Sequence, residues 1–284
     1  MTPMPLPLLI LGGNGRIGRA LRGQSAAFHA AGLQPVWQSR RAASGFLDWD
    51  ILVEPCPANA ASGIVLCLAG VVRGSPDALA QNKALAIAAY EAARSQGGQH
   101  VFLVSSAAVY GNSGSALTEQ TLPAPIGAYG QAKLAMEQTA LGLNLPDGPG
   151  LTILRIGNIA GLDTLLGGLL PNQTTVLDPV SGQKGGPIRS YIGPQSLCLI
   201  LAQLAGLVAK GRQLPRVLNI ATARAIAMGD LLDAAGVKWT YGPPNRNVIA
   251  KVELDVSVLA DLVDLPSLAG HPETMVAEWR GLTG

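Results

Sequence analysis

Tyr129 is followed four residues later by Lys133, in the run Ala128-Tyr129-Gly130-Gln131-Ala132-Lys133. Positions i and i+4 share one helix face, so the two side chains can act together. A phenol with a pKa of about 10 is a poor base at neutral pH, and a nearby ammonium favours the phenolate. The spacing is common by chance; its weight comes from two upstream segments. Gly12-Gly13-Asn14-Gly15-Arg16-Ile17-Gly18 directly follows an apolar N-terminal run, and Ser105-Ser106-Ala107-Ala108-Val109-Tyr110-Gly111 directly follows the apolar run Val101 to Val104. Together they predict a nicotinamide cofactor site. Tyr129 would give or take a proton there, and Lys133 would hold the nicotinamide ribose. Ser106 or Ser105 would donate a hydrogen bond to a carbonyl oxygen gaining charge.

The glycines suit a phosphate cradle. Gly12 permits a tight strand-to-helix turn, Gly15 lets the backbone approach a pyrophosphate, and Gly18 lets the helix pack closely on the strand. Asn14, Arg16 and Ile17 complete the segment, whose helix N-terminus offers free N–H groups. The carboxylate expected after the second strand, to grip a ribose 2′-hydroxyl, is missing. The sequence there is Gln38-Ser39-Arg40-Arg41. Arginines suit a 2′-phosphate and favour NADP over NAD; the other reading of Arg40 and Arg41 is a solvated loop pair. Asp48 fits two roles equally, a contact to the adenine amino group or a helix cap. Leu68-Ala69-Gly70 ends a buried strand, where ligands of parallel sheets sit.

Tyr110 is a rival phenol without a lysine four residues on, and is expected to line the cleft. Asn82 reads either as an ordinary polar residue or as a brace for the site. His29, His100 and His271 form no metal-like cluster, so no metal is expected.

These groups need a parallel sheet to hold them. Leu6 to Leu11 is a continuous apolar run ending at glycine, as in a strand buried on both faces. Further strands are expected at Pro35 to Gln38, Gly63 to Ala69, His100 to Ser105, Gly150 to Arg155 and Val217 to Ile220. Helices are expected at Arg16 to Ala31, Asp77 to Ser95, Gly127 to Leu143 and Leu197 to Ala209, with short ones at Ala227 to Ala235 and Ser257 to Val263. This alternation predicts an α/β, Rossmann-type doubly wound parallel sheet. Residues 1–160 form the dinucleotide-binding part. Residues 161–284 form a small, mainly substrate-binding part packed on the core, with at least one strand returning to the main sheet.

The chain has 284 residues, of which 48% are hydrophobic and 13% charged, enough for a large core. Its net charge of +2 excludes a strongly electrostatic nucleic-acid or membrane-surface partner. The three cysteines, Cys56, Cys67 and Cys198, have no metal or disulfide spacing, which fits a reducing cytoplasm. The apolar start, Met1 to Leu11, lacks a basic region and leads into the glycine loop, so no signal peptide is expected. Leu197 to Ala209 is too short to span a membrane.

The segments Gly12 to Gly18, Leu68-Ala69-Gly70, Ser105 to Gly111, Tyr129 to Lys133 and Arg155-Ile156-Gly157-Asn158 resemble the extended short-chain dehydrogenase/reductase family. That group contains nucleotide-sugar epimerases, dehydratases and reductases. The resemblance is strong over residues 6 to 161. It implies a bound nicotinamide dinucleotide, a Ser106/Tyr129/Lys133 site, a nucleotide-sugar substrate and frequent homodimers. It also implies substrate contacts near Ser105, Tyr110 and Asn158, and favours the bracing reading of Asn82. Arg189, in Gly185 to Ile192, resembles the family's Arg-Asp-Phe/Tyr segment with Ser190 replacing the aspartate; it reads equally as a diphosphate contact or a structural arginine. Ala107 and Ala108 stand where related dehydratases carry an acidic pair, which disfavours dehydration. The expected function is hydride transfer at a carbonyl or secondary alcohol. The alternative is a non-catalytic dinucleotide-binding redox sensor.

Overall fold

The computed structural model describes residues 4–60, 63–112, 116–143, 147–170 and 173–283; the start of the apolar N-terminus, 1–3, lies outside them. Seven strands form the main sheet: β1 (Leu6–Leu11), β2 (Leu33–Ser39), β3 (Leu47–Asp48), β4 (Ile64–Cys67), β5 (His100–Ser106), β6 (Gly150–Ile156) and, late in the chain, β10 (Val217–Ile220). Their order is β10-β6-β5-β4-β1-β2-β3, and every pairing is parallel. The chain first winds outward from β1 to β3, then returns to β4 on the other side of β1. The crevice between β1 and β4 is therefore the topological switch point, where doubly wound folds bind ligands.

The strands are apolar throughout because both faces are covered. Leu8 and Ile10 face helices α1 (Arg16–Arg22), α2 (Ala26–Ala30) and α5 (Pro194–Ala209); Leu9 and Leu11 face α3 (Pro76–Ser95) and α4 (Ala128–Leu143). All four leucine and isoleucine side chains are fully buried.

The expected single helix from Arg16 to Ala31 is two helices, broken at Gly23-Gln24-Ser25. Gly23 caps α1 through its N–H to Arg19 O. Leu21 of α1 and Phe28 of α2 both reach the core beside α5. Strand β4 stops at Cys67 rather than Ala69; beyond it Leu68 packs on the core and Ala69 lines the switch-point crevice.

Two smaller sheets follow. Strands β7 (Asn158–Ile159), β9 (Ile188–Ile192), β11 (Ala225–Ala227) and β13 (Lys251–Val252) make one, with β9 pairing all three others. Strands β8 (Thr175–Leu177) and β12 (Trp239–Tyr241) make a pair. Helices α6 (Met228–Ala234), α7 (Ser257–Ala260) and α8 (Pro272–Arg280) complete the chain. Helix α7 is shorter than expected, and α8 has no counterpart among the expected elements. It is held firmly: Ser196 donates to the Glu278 carboxylate from its N–H (2.9 Å) and its hydroxyl (2.6 Å), so a residue of α8 caps α5. Beside it, Trp279 packs directly on Gly161, leaving no room for a Cβ there. Among the described residues no helix is long and apolar enough to cross a membrane.

Candidate active site

The glycine loop folds for reasons visible atom by atom. Gly12 has φ +79°, which favours glycine, and a Cβ on it would meet Ala69 N at 2.7 Å. Gly15 N–H donates to Gly12 O at 2.9 Å, closing the turn. A Cβ on Gly18 would meet Gly12 O at 2.6 Å, so only glycine lets α1 sit this close to the loop. Gln38 braces the loop from β2. Its Oε1 accepts the Gly12 N–H at 2.8 Å, and its Nε2 donates to Trp49 O. In the sequence Gln38 carries no signal for this role beyond standing where a carboxylate was expected.

Above this loop lies a groove of about 350 Å³. Gly12, Asn14 and Gly15 line one side, Ala69, Gly70 and Val71 another, and Arg40 and Arg41 the rim. Arg16 is exposed and Ile17 half-buried at the start of α1. The groove's lining suits a dinucleotide: one side is the glycine turn at the start of α1, whose backbone can approach a phosphate, and Arg40 and Arg41 bring positive charge to the rim. Asp48 is exposed in β3 and does not line the groove; Asp50 and Ile51 do. Trp49, between Asp48 and Asp50, is buried, and of the two flanking carboxylates it is Asp50 that lines the groove.

The Ser/Tyr/Lys set stands next to the groove. The Tyr129 hydroxyl stands close enough to the Ser106 side chain for the two to interact. Ser106 Oγ also accepts the Ala108 N–H at 3.2 Å. Gly130 allows the approach, since a Cβ there would meet Ala108 O at 2.5 Å. Lys133 is 3% exposed and donates to Val104 O at 2.9 Å. A Cβ on Gly70 would lie 3.1 Å from Lys133 Nζ and equally 3.1 Å from Asn82 Oδ1. The chain of contact thus runs from Gly12 to Ala69, Gly70 and Lys133. Asn82 is the brace of this corner: its Nδ2 donates to Val71 O and Leu79 O, and its Oδ1 accepts the Val71 N–H.

The electrostatics differ from the expectation. Burial pushes the Tyr129 phenol up from 10, and the Ser106 hydrogen bond only partly offsets that. The Lys133 ammonium does not tune it, because it is turned to the Val104 carbonyl. Burial lowers Lys133 from 10.5 to about 8, against the upward pull of Cys67 and Glu137.

Two other expected site residues are turned inward. Ser105 is 2% exposed and donates to Glu137 Oε1 at 2.5 Å. Tyr110, expected in the cleft, is fully buried; its hydroxyl donates to Asn219 Oδ1 at 2.8 Å and Arg155 lies 4.8 Å over its ring. Both belong to a polar network centred on the Arg155–Glu137 ion pair, at 2.7 Å. The sequence reading missed Glu137, although it lies one turn beyond Lys133 on the same face of α4.

Asn158 is half-buried and donates from Nδ2 to Asp163 Oδ2 at 3.3 Å; the Tyr191 hydroxyl donates to the same oxygen at 3.0 Å. Arg189 donates to the carbonyls of Ile188 and Ile249 at 2.7 and 2.8 Å. No group of histidine, cysteine or acidic residues among those described is arranged to hold a metal.

A model of the NAD dependent epimerase/dehydratase family matches residues 8–173. Several solved structures share the whole fold. UDP-glucose 4-epimerase from Brucella ovis, in complex with NAD, aligns with a TM-score of 0.78 at 19% identity, covering 95% of this chain and 96% of that one. The corresponding figures are 0.74, 19%, 98% and 100% for UDP-glucose 4-epimerase from Thermotoga maritima with UDP-glucose. They are 0.75, 19%, 97% and 98% for TunA, an NAD-dependent NDP-hexosamine 5,6-dehydratase of tunicamycin biosynthesis. No curated protein sequence matches the chain.

Proposed function

The chain belongs to the NAD dependent epimerase/dehydratase family, and from that premise we propose that it is a dinucleotide-dependent epimerase or reductase of a nucleotide-activated sugar, with Tyr129 as its acid and base. The observation that carries this reading is the join between the two halves of the site. Ser106 touches Tyr129, and Lys133 reaches Gly70, in the wall of the groove floored by Gly12.

When bound, a nicotinamide dinucleotide supplies or accepts the hydride at the substrate carbon. The chain's own residues handle the proton. Tyr129, held protonated by burial, rests as a phenol and gives its proton to a carbonyl oxygen. Ser106 is oriented by the Ala108 N–H, which leaves its hydroxyl hydrogen for that same oxygen as charge develops. In the reverse direction Tyr129 takes the proton from a hydroxyl. Lys133 and Asn82 hold the corner between α4 and Gly70 where the nicotinamide ribose would lie. Arg40 and Arg41 favour NADP through its 2′-phosphate, and Asn158 is the contact assigned to the substrate; Arg189, whose terminal nitrogens donate to the Ile188 and Ile249 carbonyls, fits its structural reading. Bound UDP-glucose in the Thermotoga structure supports a nucleotide-sugar substrate. Ala107 and Ala108 supply no second acid or base after Ser106, which favours epimerisation or reduction over dehydration.

Tyr129→Phe tests the assignment against a panel of UDP- and dTDP-sugars with NAD and NADPH. Turnover should fall roughly 10²- to 10⁴-fold while dinucleotide binding survives. Stoichiometric NADPH consumption identifies a reductase, and product without net consumption an epimerase. Unchanged turnover in Tyr129→Phe overturns the assignment.

A further inference from the structure

Three consecutive residues of β5 each meet a different residue of α4. The Val104 carbonyl accepts from Lys133 at 2.9 Å, the Ser105 hydroxyl donates to Glu137 at 2.5 Å, and Ser106 contacts Tyr129. Tyr129, Lys133 and Glu137 are successive members of an i, i+4, i+8 series, so they lie along one helix face. Two of these contacts involve groups assigned to the chemistry. The third, Ser105 to Glu137, is buried away from the groove, with side chains 2% and 1% exposed.

Glu137 is fully engaged. Arg155 donates to it from Nε (3.2 Å to both oxygens) and from one terminal nitrogen (2.7 Å to Oε2). Arg155 lies beside Ser105 across the β5–β6 ladder, so the carboxylate ties α4 to both strands at once. The network extends outward. Another Arg155 nitrogen donates to Glu119 O at 3.5 Å, while Tyr110 passes contact to Asn219. Asn219 in turn donates to Leu117 O and Asp255 O at 2.8 and 3.0 Å. An uncompensated carboxylate here would be severely destabilising, and a pair of apolar residues would serve packing as well or better. The charge therefore calls for a reason beyond packing.

We propose that Glu137 is a positioning residue of this active site: its buried carboxylate, clamped by Arg155 and Ser105, sets the register of α4 on β5 and so fixes Ser106, Tyr129 and Lys133 relative to one another. Ser105 is thereby a register residue for its neighbour Ser106. Because side chains alternate along a strand, holding Ser105 inward keeps Ser106 facing Tyr129. Glu137 also acts on Lys133 through space. The groups facing that ammonium are the Cys67 thiol from β4, the Val104 carbonyl from β5, Asn82 from α3 and Glu137 from its own helix, with Arg155 of β6 behind. Glu137 carries the one formal negative charge in that list, and it opposes the loss of the Lys133 proton that burial favours.

The consequence for turnover rests on the function proposed above; the geometry does not. Two variants separate charge from register. In Glu137→Gln, the Lys133 side chain, followed by NMR of lysine-labelled protein without dinucleotide or substrate, should titrate at a lower pH than in wild type. In Ser105→Ala, which keeps the ion pair and folds without a stranded charge, that titration should stay in place. Its kcat should nevertheless fall about tenfold, with the sugar-nucleotide KM and the dinucleotide Kd within twofold of wild type. Wild-type kcat in Ser105→Ala, or an unmoved Lys133 titration in folded Glu137→Gln, overturns the proposal. Tyr129→Phe is measured alongside. Turnover that survives there refutes the functional reading instead, and the substrate-free titration still decides the part played by Glu137.

Discussion

Lys133→Met should make the protein more stable at neutral pH while abolishing its chemistry. Lys133 is 3% exposed and its pKa falls from 10.5 to about 8, net of the attraction from Glu137. At about 1.4 kcal/mol per pKa unit, holding the ammonium in this site costs roughly 3 kcal/mol. Methionine has a similar shape and no charge. Its own cost is the Val104 carbonyl left without a donor, about 1–2 kcal/mol. The balance is a gain of about 1–2 kcal/mol at pH 7, or roughly 2–4 °C in Tm for a chain this long. The pH dependence supplies the decisive signature. The folded-state pKa lies below the unfolded one, so between about 8 and 10.5 the unfolded wild type holds the extra proton. Wild-type stability therefore gains with rising pH across that window, as the cost of the buried charge disappears. The Met variant has no such proton. Its advantage should be full below pH 8, shrink through the window and reverse above pH 10.5, where only the lost hydrogen bond remains. Urea denaturation of both proteins at pH 7, 8.5 and 10 measures this. A variant less stable than wild type at pH 7, or a difference flat with pH, would refute the account of Lys133 as a charge held against its solvation.

Three further outcomes follow from other residues. Arg40→Ala should weaken NADPH binding about tenfold and leave NADH binding nearly unchanged; isothermal titration with both would show equal losses if no 2′-phosphate contact exists. Gly18→Ala should lower dinucleotide affinity and melting temperature together, since its Cβ would press on Gly12 O at 2.6 Å, although alanine elsewhere in a helix gains about 1 kcal/mol; a melting temperature at or above wild type would contradict the packing described. Burial holds His100 down from 6.5 to about 4, with Nε2 3.0 Å from Thr152 Oγ1. Between those values the unfolded chain binds the proton, so stability attributable to His100 is lost as pH falls through the window, by up to roughly 3 kcal/mol. His100→Gln should flatten that part of the acid limb; an identical limb in both proteins would remove His100 from the explanation.

The central sheet was legible because continuous apolar runs such as Leu6 to Leu11 have few alternatives once helices flank them. The glycine loop was legible because each of Gly12, Gly15 and Gly18 answers a separate steric demand. Other features lacked a local signal. The break after Arg22 lies in an alanine-rich stretch whose apolar pattern suits one helix, since Leu21 and Phe28, seven apart, would share a face in an unbroken one. Asp48 and Asp50 flank Trp49, and which of them reaches the groove depends on where the chain leaves β3 as that indole is buried. Tyr110 sits in a turn that sequence places near a cleft, yet its partners Arg155 and Asn219 come from β6 and β10. Glu137 was the costliest omission. A single charge on an amphipathic helix reads as solvated, and its two partners lie 18 and 32 residues earlier or later in the chain.

The cap that Glu278 places on α5 gives the small lobe an order of assembly. The Ser196 amide and hydroxyl at the start of α5 and the indole seat at Gly161 wait for groups about 80 to 120 residues downstream (Ser196 and Glu278 are 82 apart). As synthesis proceeds from the N-terminus, the parallel core can form around β1 to β6 while α5 remains open at one end. Closure of the lobe that follows β6 is then a late event, timed by the emergence of residues 278 and 279 from the ribosome. A nascent chain stalled before that point should offer protease a ready cut near Pro194 that the released protein withholds.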